Sequence, residues 1–388
     1  MSYVKDAVMD KKSFTALFCT MMLLFSSTYF LACGHGGSAS EAGRTEKKTL
    51  SVEEKAEQIV GKMSDAQKIG QLMMIGITGK TMDQDARYML TEFSFGNVIL
   101  FDRNMETPEQ VRVLNQSIRG TVLAQTGVPP LIGVDQEGGL VSRMTDYLPA
   151  MPSAEALGKG TVQEAKDWSV KTGTALKKLG FNTNFAPVVD LDSAYHRSYG
   201  KTPETVVPFA EAVISGYGSQ GIHTALKHFP GIGKVKTDPH LDGDVVMISR
   251  GQLDQEDGVP FRELIGRTDP EQTFVMVSNV TYPNLDPGVP ACISSKIMTD
   301  ILRKSYGFTG IILTDDMEMG AMAKHYAFRE MGVRAVEAGA DIVLVCHDYA
   351  HGQEVYNGLL QAYRSGMLDR KMIDDKVKRI VKMKLLMQ

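Results

Sequence analysis

Leu131-Ile132-Gly133-Val134-Asp135 is an apolar run closed by a carboxylate, and its reading decides the fold. A strand wetted on one face alternates apolar and polar side chains, whereas a parallel strand buried on both faces reads as a continuous apolar run. Working outward, the same pattern recurs. Runs rich in Val, Ile and Phe occupy residues 72–77, 97–101, 183–189, 224–229, 273–277, 310–313 and 341–345. Between most of them the apolar residues take helical spacing, as over 108–119, 164–179, 206–219 and 295–305. Ser64 with Gln67 three residues on reads as a capping-box helix start. About eight such strand–helix units in roughly 330 residues fit an α/β fold of the (β/α)8 TIM-barrel type, with a single catalytic domain. A dinucleotide-binding sheet would need a Gly-rich fingerprint after the first run, and Gly76-Ile77-Thr78-Gly79 is not one.

Composition narrows the function classes. The 388 residues are 43% hydrophobic and 23% charged, with a net charge of −4 spread over both signs. That is ordinary globular composition without a nucleic-acid footprint. The cysteines Cys19, Cys33, Cys292 and Cys346 form no CxxC pair and no zinc spacing, so neither a metal nor another cofactor is expected.

The first 33 residues read as a signal segment. Lys11 and Lys12 precede an apolar stretch over 14–31, and Ala32-Cys33-Gly34 follows it. Cys33 after Ala32 looks like a lipoprotein cleavage site, which makes Cys33 the expected lipidation point. A retained membrane anchor and cleavage at a nearby site are the alternatives. All three export the domain, and the lipoprotein reading places it at the cell envelope, on the periplasmic or outer surface. Residues 34–49, beginning Gly34-His35-Gly36-Gly37, have the composition of a flexible tether, and the catalytic domain is expected over 50–388.

Unusual polar residues then fall at the ends of the apolar runs. Asp135 follows the third, Asp190, Asp192 and Arg197 the fourth, and Lys227-His228 closes the fifth. Asn279 follows the sixth, Asp315-Asp316 the seventh and His347-Asp348 the eighth. In a parallel barrel the C-terminal strand ends converge on one pocket. Asp316 and Asp348 are expected to be N-caps of the helices that follow. Carboxylates and a histidine around one pocket suit acid/base and nucleophilic work, which leaves hydrolase, aldolase and isomerase open.

Five ordered blocks narrow the choice. Lys227-His228-Phe229-Pro230-Gly231-Ile232-Gly233 with Asp238-Pro239-His240 resembles the KHFPGHG…DSH signature of bacterial β-N-acetylglucosaminidases of glycoside hydrolase family 3. Leu313-Thr314-Asp315-Asp316-Met317 resembles the nucleophile segment of that family. Gly133-Val134-Asp135-Gln136-Glu137-Gly138-Gly139 through Arg143 resembles its DxEGG block, Arg197-Ser198-Tyr199-Gly200 its RSFG block, and Ile99 through Asn104 agrees as well.

The resemblance implies a retaining exo-β-N-acetylglucosaminidase, with peptidoglycan fragments as the expected substrate. Asp315 would be the nucleophile and His240 the acid/base, with Asp238 holding the imidazole's tautomer. Asp135, Arg143, Arg197, Lys227 and His228 would grip the terminal sugar. Outside its block, Arg143 alone would read as a surface cation. If His240 were not the acid, Asp242, Asp244 and Glu137 would be next. Three positions depart from the pattern: Ile232 for His, Leu140 for Arg and Pro239 for Ser. A phosphorylase with the same site is the nearest alternative, since a neutral histidine repels phosphate less than a carboxylate would. A β-glucosidase fits less well, because those relatives take their acid from a second domain. A non-catalytic glycan-binding surface lipoprotein is the reading from another class.

Overall fold

The structure, a computed structural model, describes residues 50–235 and 245–387. Cys33, Asp238 and His240 lie outside the described residues. Eight parallel strands close in sequence order into a barrel. They are β1 (Met73–Gly76), β2 (Asn97–Leu100), β3 (Leu131–Val134), β4 (Thr183–Asn184), β5 (His223–Phe229), β6 (Thr273–Val277), β7 (Ile312–Asp316) and β8 (Ile342–Val345). Closure is made by β1 against β8, with Met73 opposite Val343. Helices cover the outside, so the strands are buried throughout except at the end of β7. The continuous apolar runs follow from that double burial.

Local chemistry sets the helix ends. Thr107 caps Pro108–Thr126 with proline in its first turn, and Gly127 stops it in the left-handed region at φ 77°. The helix therefore runs about two turns past the expected 119, to Thr126. Ser64 and Gln67 do form the capping box, on Asp65–Gln71. The expected helix over 295–305 is Lys296–Ser305, with the wider i→i+5 hydrogen bonding of a π-helix.

Two strands differ from expectation, and both differences bear on the site. The fourth run was expected to be extended over 183–189 but pairs as strand only at Thr183–Asn184. Pro187 has no N–H to give to a ladder, and the chain rejoins β5 through Val189 N–H to the Lys227 carbonyl at 2.8 Å. The seventh run extends further than expected, so Asp315 and Asp316 belong to the strand itself. The ladder register shifts between Leu226 and Phe229 and between Leu313 and Asp316. Such irregularities re-aim side chains at barrel rims. Here they fall on Lys227-His228 and on Asp315.

Candidate active site

The C-terminal strand ends enclose a cavity of about 250 Å³ lined by Asp135, Arg143, Arg197, Lys227, His228 and Asp315, with Glu137, Ile232, Asp316 and His347 beside them. A groove of about 690 Å³ lies against the helix Val162–Leu179, but its lining includes no carboxylate. Chemistry rather than size marks the site.

The loop after β3 shapes one wall. Gly138 and Gly139 take φ 99° and 58°, where a side chain would be strained, and a Cβ on Gly138 would come within 2.3 Å of the Pro152 carbonyl. This double turn folds the chain back so that the Gln136 side chain accepts from the Arg143 amide at 2.7 Å. Arg143 is not a surface cation. It lines the cavity and donates to Asp102 at 3.1 Å.

Behind that wall sits a buried charge cluster. Lys227, fully desolvated at the end of β5, donates to Asp135 at 2.7 Å and pairs with Glu137 at 2.7 Å. Arg197 grips Glu137 with two parallel bonds of 2.8 Å. Burial pushes the Glu137 carboxyl up, but attraction to Lys227 and then Arg197 overrides it and holds the group far below the carboxylate range. Burial lowers the Lys227 pKa, but Asp135 and then Glu137 raise it above its ordinary value against that burial and the Arg197 charge. Glu137 is therefore a permanent anion and cannot stand in as the proton donor. Its role is to aim Lys227 and Arg197. The Asp-x-Glu-Gly-Gly spacing could have revealed it, because it places two carboxylates around one tight turn.

Asp190 is the second residue that the sequence only half disclosed. Fully buried beyond β4, it accepts from the His228 ring Nδ1 at 2.8 Å, from the His228 amide at 3.1 Å and from the Ile232 amide at 2.9 Å. These bonds leave His228 Nε2 facing Arg197 at 3.5 Å and the cavity, as an acceptor for a hydroxyl. Asp192 is turned outward to Lys201 and does not line the cavity.

Asp315, next to last in β7, lines the cavity, and the Asp316 amide donates to its Oδ1 at 2.8 Å. Asp316 is not a helix cap. One of its oxygens accepts from the Glu318 amide at 3.1 Å, the other faces His347 Nε2 at 3.2 Å. Asp348 is the expected cap, accepting from Ala350 at 2.8 Å at the start of Tyr349–Ser365. Asn279 holds the Asp316 carbonyl at 2.7 Å.

A carboxylate on a strand end, facing a rigid polar grip, is an arrangement that suits a barrel glycosidase. The profile of the "Glycosyl hydrolase family 3 N terminal domain" matches residues 65–383, and the chain belongs to this family of glycoside hydrolases. It is 34% identical over 301 residues to a beta-hexosaminidase of Nitrosomonas eutropha, covering 74% of this chain and 84% of the relative. A beta-hexosaminidase of Tolumonas auensis is 34% identical over 297 residues, covering 74% and 86%. Among solved structures, the family 3 β-N-acetylglucosaminidase from Paenibacillus superposes with a TM-score of 0.81 at 36% identity, covering 84% of this chain. The present chain spans 63% of the Paenibacillus chain. A β-N-acetylhexosaminidase from Beutenbergia cavernae superposes at 0.78 with 29% identity, covering 83% and 98%.

Proposed function

We propose that the protein is a retaining exo-β-N-acetylglucosaminidase, with Asp315 as nucleophile and His240 as acid/base. The observation that carries this reading is the placement of Asp315 in a cavity of about 250 Å³ opposite a preformed Lys227–Asp135–Glu137–Arg197 grip. That volume lies below the roughly 300–1,000 Å³ of drug-sized ligand pockets and suits one terminal sugar rather than a run of them. The named activities of the relatives supply the sugar.

In the proposed reaction the Asp315 carboxylate attacks the anomeric carbon while His240 gives its proton to the glycosidic oxygen. The C–O bond to the aglycone breaks, the aglycone leaves as an alcohol, and the sugar remains as an ester on Asp315. Water then attacks the same carbon, His240 takes its proton, and the ester bond breaks with Asp315 restored. Two inversions give net retention. A histidine suits both proton transfers near neutrality because its ordinary pKa is about 6.5. Asp238 holds the ring's tautomer and stabilises its cation.

Turnover of an aryl N-acetyl-β-glucosaminide beside the matching β-glucoside tests the sugar. Product analysis with and without phosphate tests the acceptor. Preference for the glucoside, or a sugar phosphate as the product, would replace this reading. We further propose export with a lipid on Cys33, muropeptide-type fragments being the substrate at the envelope. Detergent partitioning and mass spectrometry of native protein test the anchor, and an unmodified peptide spanning Ala32-Cys33 refutes it.

A further inference from the structure

The Asp316 residue next to the nucleophile is held at every polar atom, and one of its partners is a histidine in the cavity wall that no step of the proposed reaction uses. Its amide donates to Asp315 Oδ1 at 2.8 Å, and its carbonyl accepts from Asn279 at 2.7 Å. Its carboxylate accepts from the Glu318 amide at 3.1 Å and the Cys346 amide at 3.3 Å, and its Oδ2 meets His347 Nε2 at 3.2 Å. His347 is held in turn. Arg103, in the turn after β2, approaches its Nδ1 at 3.0 Å. The Phe101 ring lies tilted against the imidazole with centroids 5.3 Å apart. Arg103 itself donates to the carbonyls of Ile77 at 3.0 Å and Cys346, and its guanidinium lies 4.6 Å over the Phe101 ring.

Resting on the reading of Asp315 as nucleophile, we propose that Arg103, His347 and Asp316 form a positioning relay that fixes the attacking carboxylate, and that the relay works only with His347 neutral. The guanidinium has donors and no acceptor. The His347 Nδ1 facing it must therefore be the lone-pair nitrogen, which leaves the proton on Nε2, aimed at Asp316. In the imidazolium both ring nitrogens carry protons, and Nδ1–H meets the N–H of Arg103. Nε2–H still donates to Asp316, but the clash at Nδ1 drives Arg103 and the imidazole apart, and the ring loses the partner that sets its orientation against Asp316. The groups facing His347 are Arg103, Phe101, Asp316 and Glu318, which accepts from the His347 amide. The hydrogen bond to Asp316 raises the His347 pKa above its ordinary value, against burial and the Arg103 charge. Protonation as pH falls toward the histidine range should thus weaken catalysis.

His347→Leu and His347→Gln separate this role from packing. Glutamine can accept from Arg103 through its oxygen and donate to Asp316 through its amide, yet it does not titrate. Labelling by a 5-fluoro N-acetylglucosaminyl fluoride, located by peptide mass spectrometry, reads the glycosylation step directly. The leucine variant should label Asp315 about 10- to 100-fold more slowly, the scale of a misplaced reacting group, with KM little changed. The glutamine variant should recover most of that rate and lose the acid limb that the wild type shows in the histidine range. Labelling of Asp315 at the wild-type rate in His347→Leu overturns the relay, as does an unchanged acid limb in His347→Gln. Label on another residue overturns the nucleophile assignment and the relay with it. If the leucine variant fails to fold, the pH profile of the glutamine variant decides alone.

Discussion

The two ends of the barrel both carry buried ion clusters, and one of them surrounds the candidate site. At the C-terminal end Lys227, Asp135, Glu137 and Arg197 surround a cavity. At the N-terminal end Asp341, fully buried just before β8, accepts from Arg303, from Arg379 and from the Ile312 amide at 2.8 Å. Nearby, Lys376 donates to the Ala340 carbonyl at 2.8 Å and Lys384 to Gln71 at 2.6 Å. Burial would raise the Asp341 pKa, but Arg303, Arg379 and Lys376 hold it down. By charge and burial alone the two clusters look alike. The difference lies in where the bonds end. In the N-terminal cluster Asp341 ties Arg303 and Arg379 to the Ile312 amide, Arg303 and Lys376 reach backbone carbonyls, and Lys384 reaches the Gln71 side chain. It therefore fastens strand and helix ends together, even though Arg303, Lys376 and Arg379 border a cavity of about 330 Å³. In the C-terminal cluster the bonds hold cations against an open cavity, where a substrate can compete for them.

The largest effect that could break this contrast is at Asp315. Asp315→Ala should lower turnover by several orders of magnitude, at least ~5 kcal/mol of barrier, with the melting temperature nearly unchanged. Near-normal activity in a clean variant would move the nucleophile, with Asp316 first in line.

The mirror experiment is at the other end. Asp341→Ala leaves Arg303 and Arg379 with an uncompensated charge and should cost about 3–5 kcal/mol of stability, while kcat per folded molecule stays near wild type. Since the folded Asp341 pKa is depressed, its contribution is present above the unfolded value of about 3.9 and is lost as pH falls through the folded value. Denaturation midpoints from pH 7 down should show the wild type converging on the variant.

Glu137→Gln sharpens the comparison, because it alters aim without removing a reacting group. Lys227 and Arg197 lose a shared anion, and kcat/KM should fall about 100-fold, roughly 3 kcal/mol, from loosened positioning. An equal loss of stability without loss of activity would make this cluster a fastener like the other.

His240→Ala tests the proton donor. Hydrolysis of a disaccharide should nearly stop, while glycosyl-enzyme formation from a nitrophenyl glycoside is spared, since a good leaving group needs little protonation. The intermediate should then accumulate on Asp315, and Asp238→Asn should show a milder form. Equal slowing of good and poor leaving groups would reduce His240 to shaping the pocket.

The smallest effect concerns Lys376. Burial, with Arg303 and Arg379 adding to it against Asp341, lowers its pKa to about 8. The unfolded chain binds that proton more tightly, so stability should rise with pH from about 8 toward 10, by about 1–2 kcal/mol. Lys376→Met should flatten that rise in chemical denaturation.

The sequence by itself determined the barrel and most of the site. Doubly buried strands must be apolar along their length, and the polar residues that close them must share one end, so periodicity and position carried both. Asp135, Arg143, Arg197, Lys227, His228 and Asp315 line one cavity as the family blocks imply. Tertiary structure alone decided what each charge does. Glu137 is a fixed anion because two cations 60 and 90 residues away reach it, as the bonds from Arg197 and Lys227 show. Asp316 is an anchor rather than a cap because Asn279, Cys346 and His347 converge on it from β6 and β8. Helix capping and strand burial act over a few residues and leave a local trace in sequence. Ion pairing acts across the closed barrel, between residues that no local pattern connects.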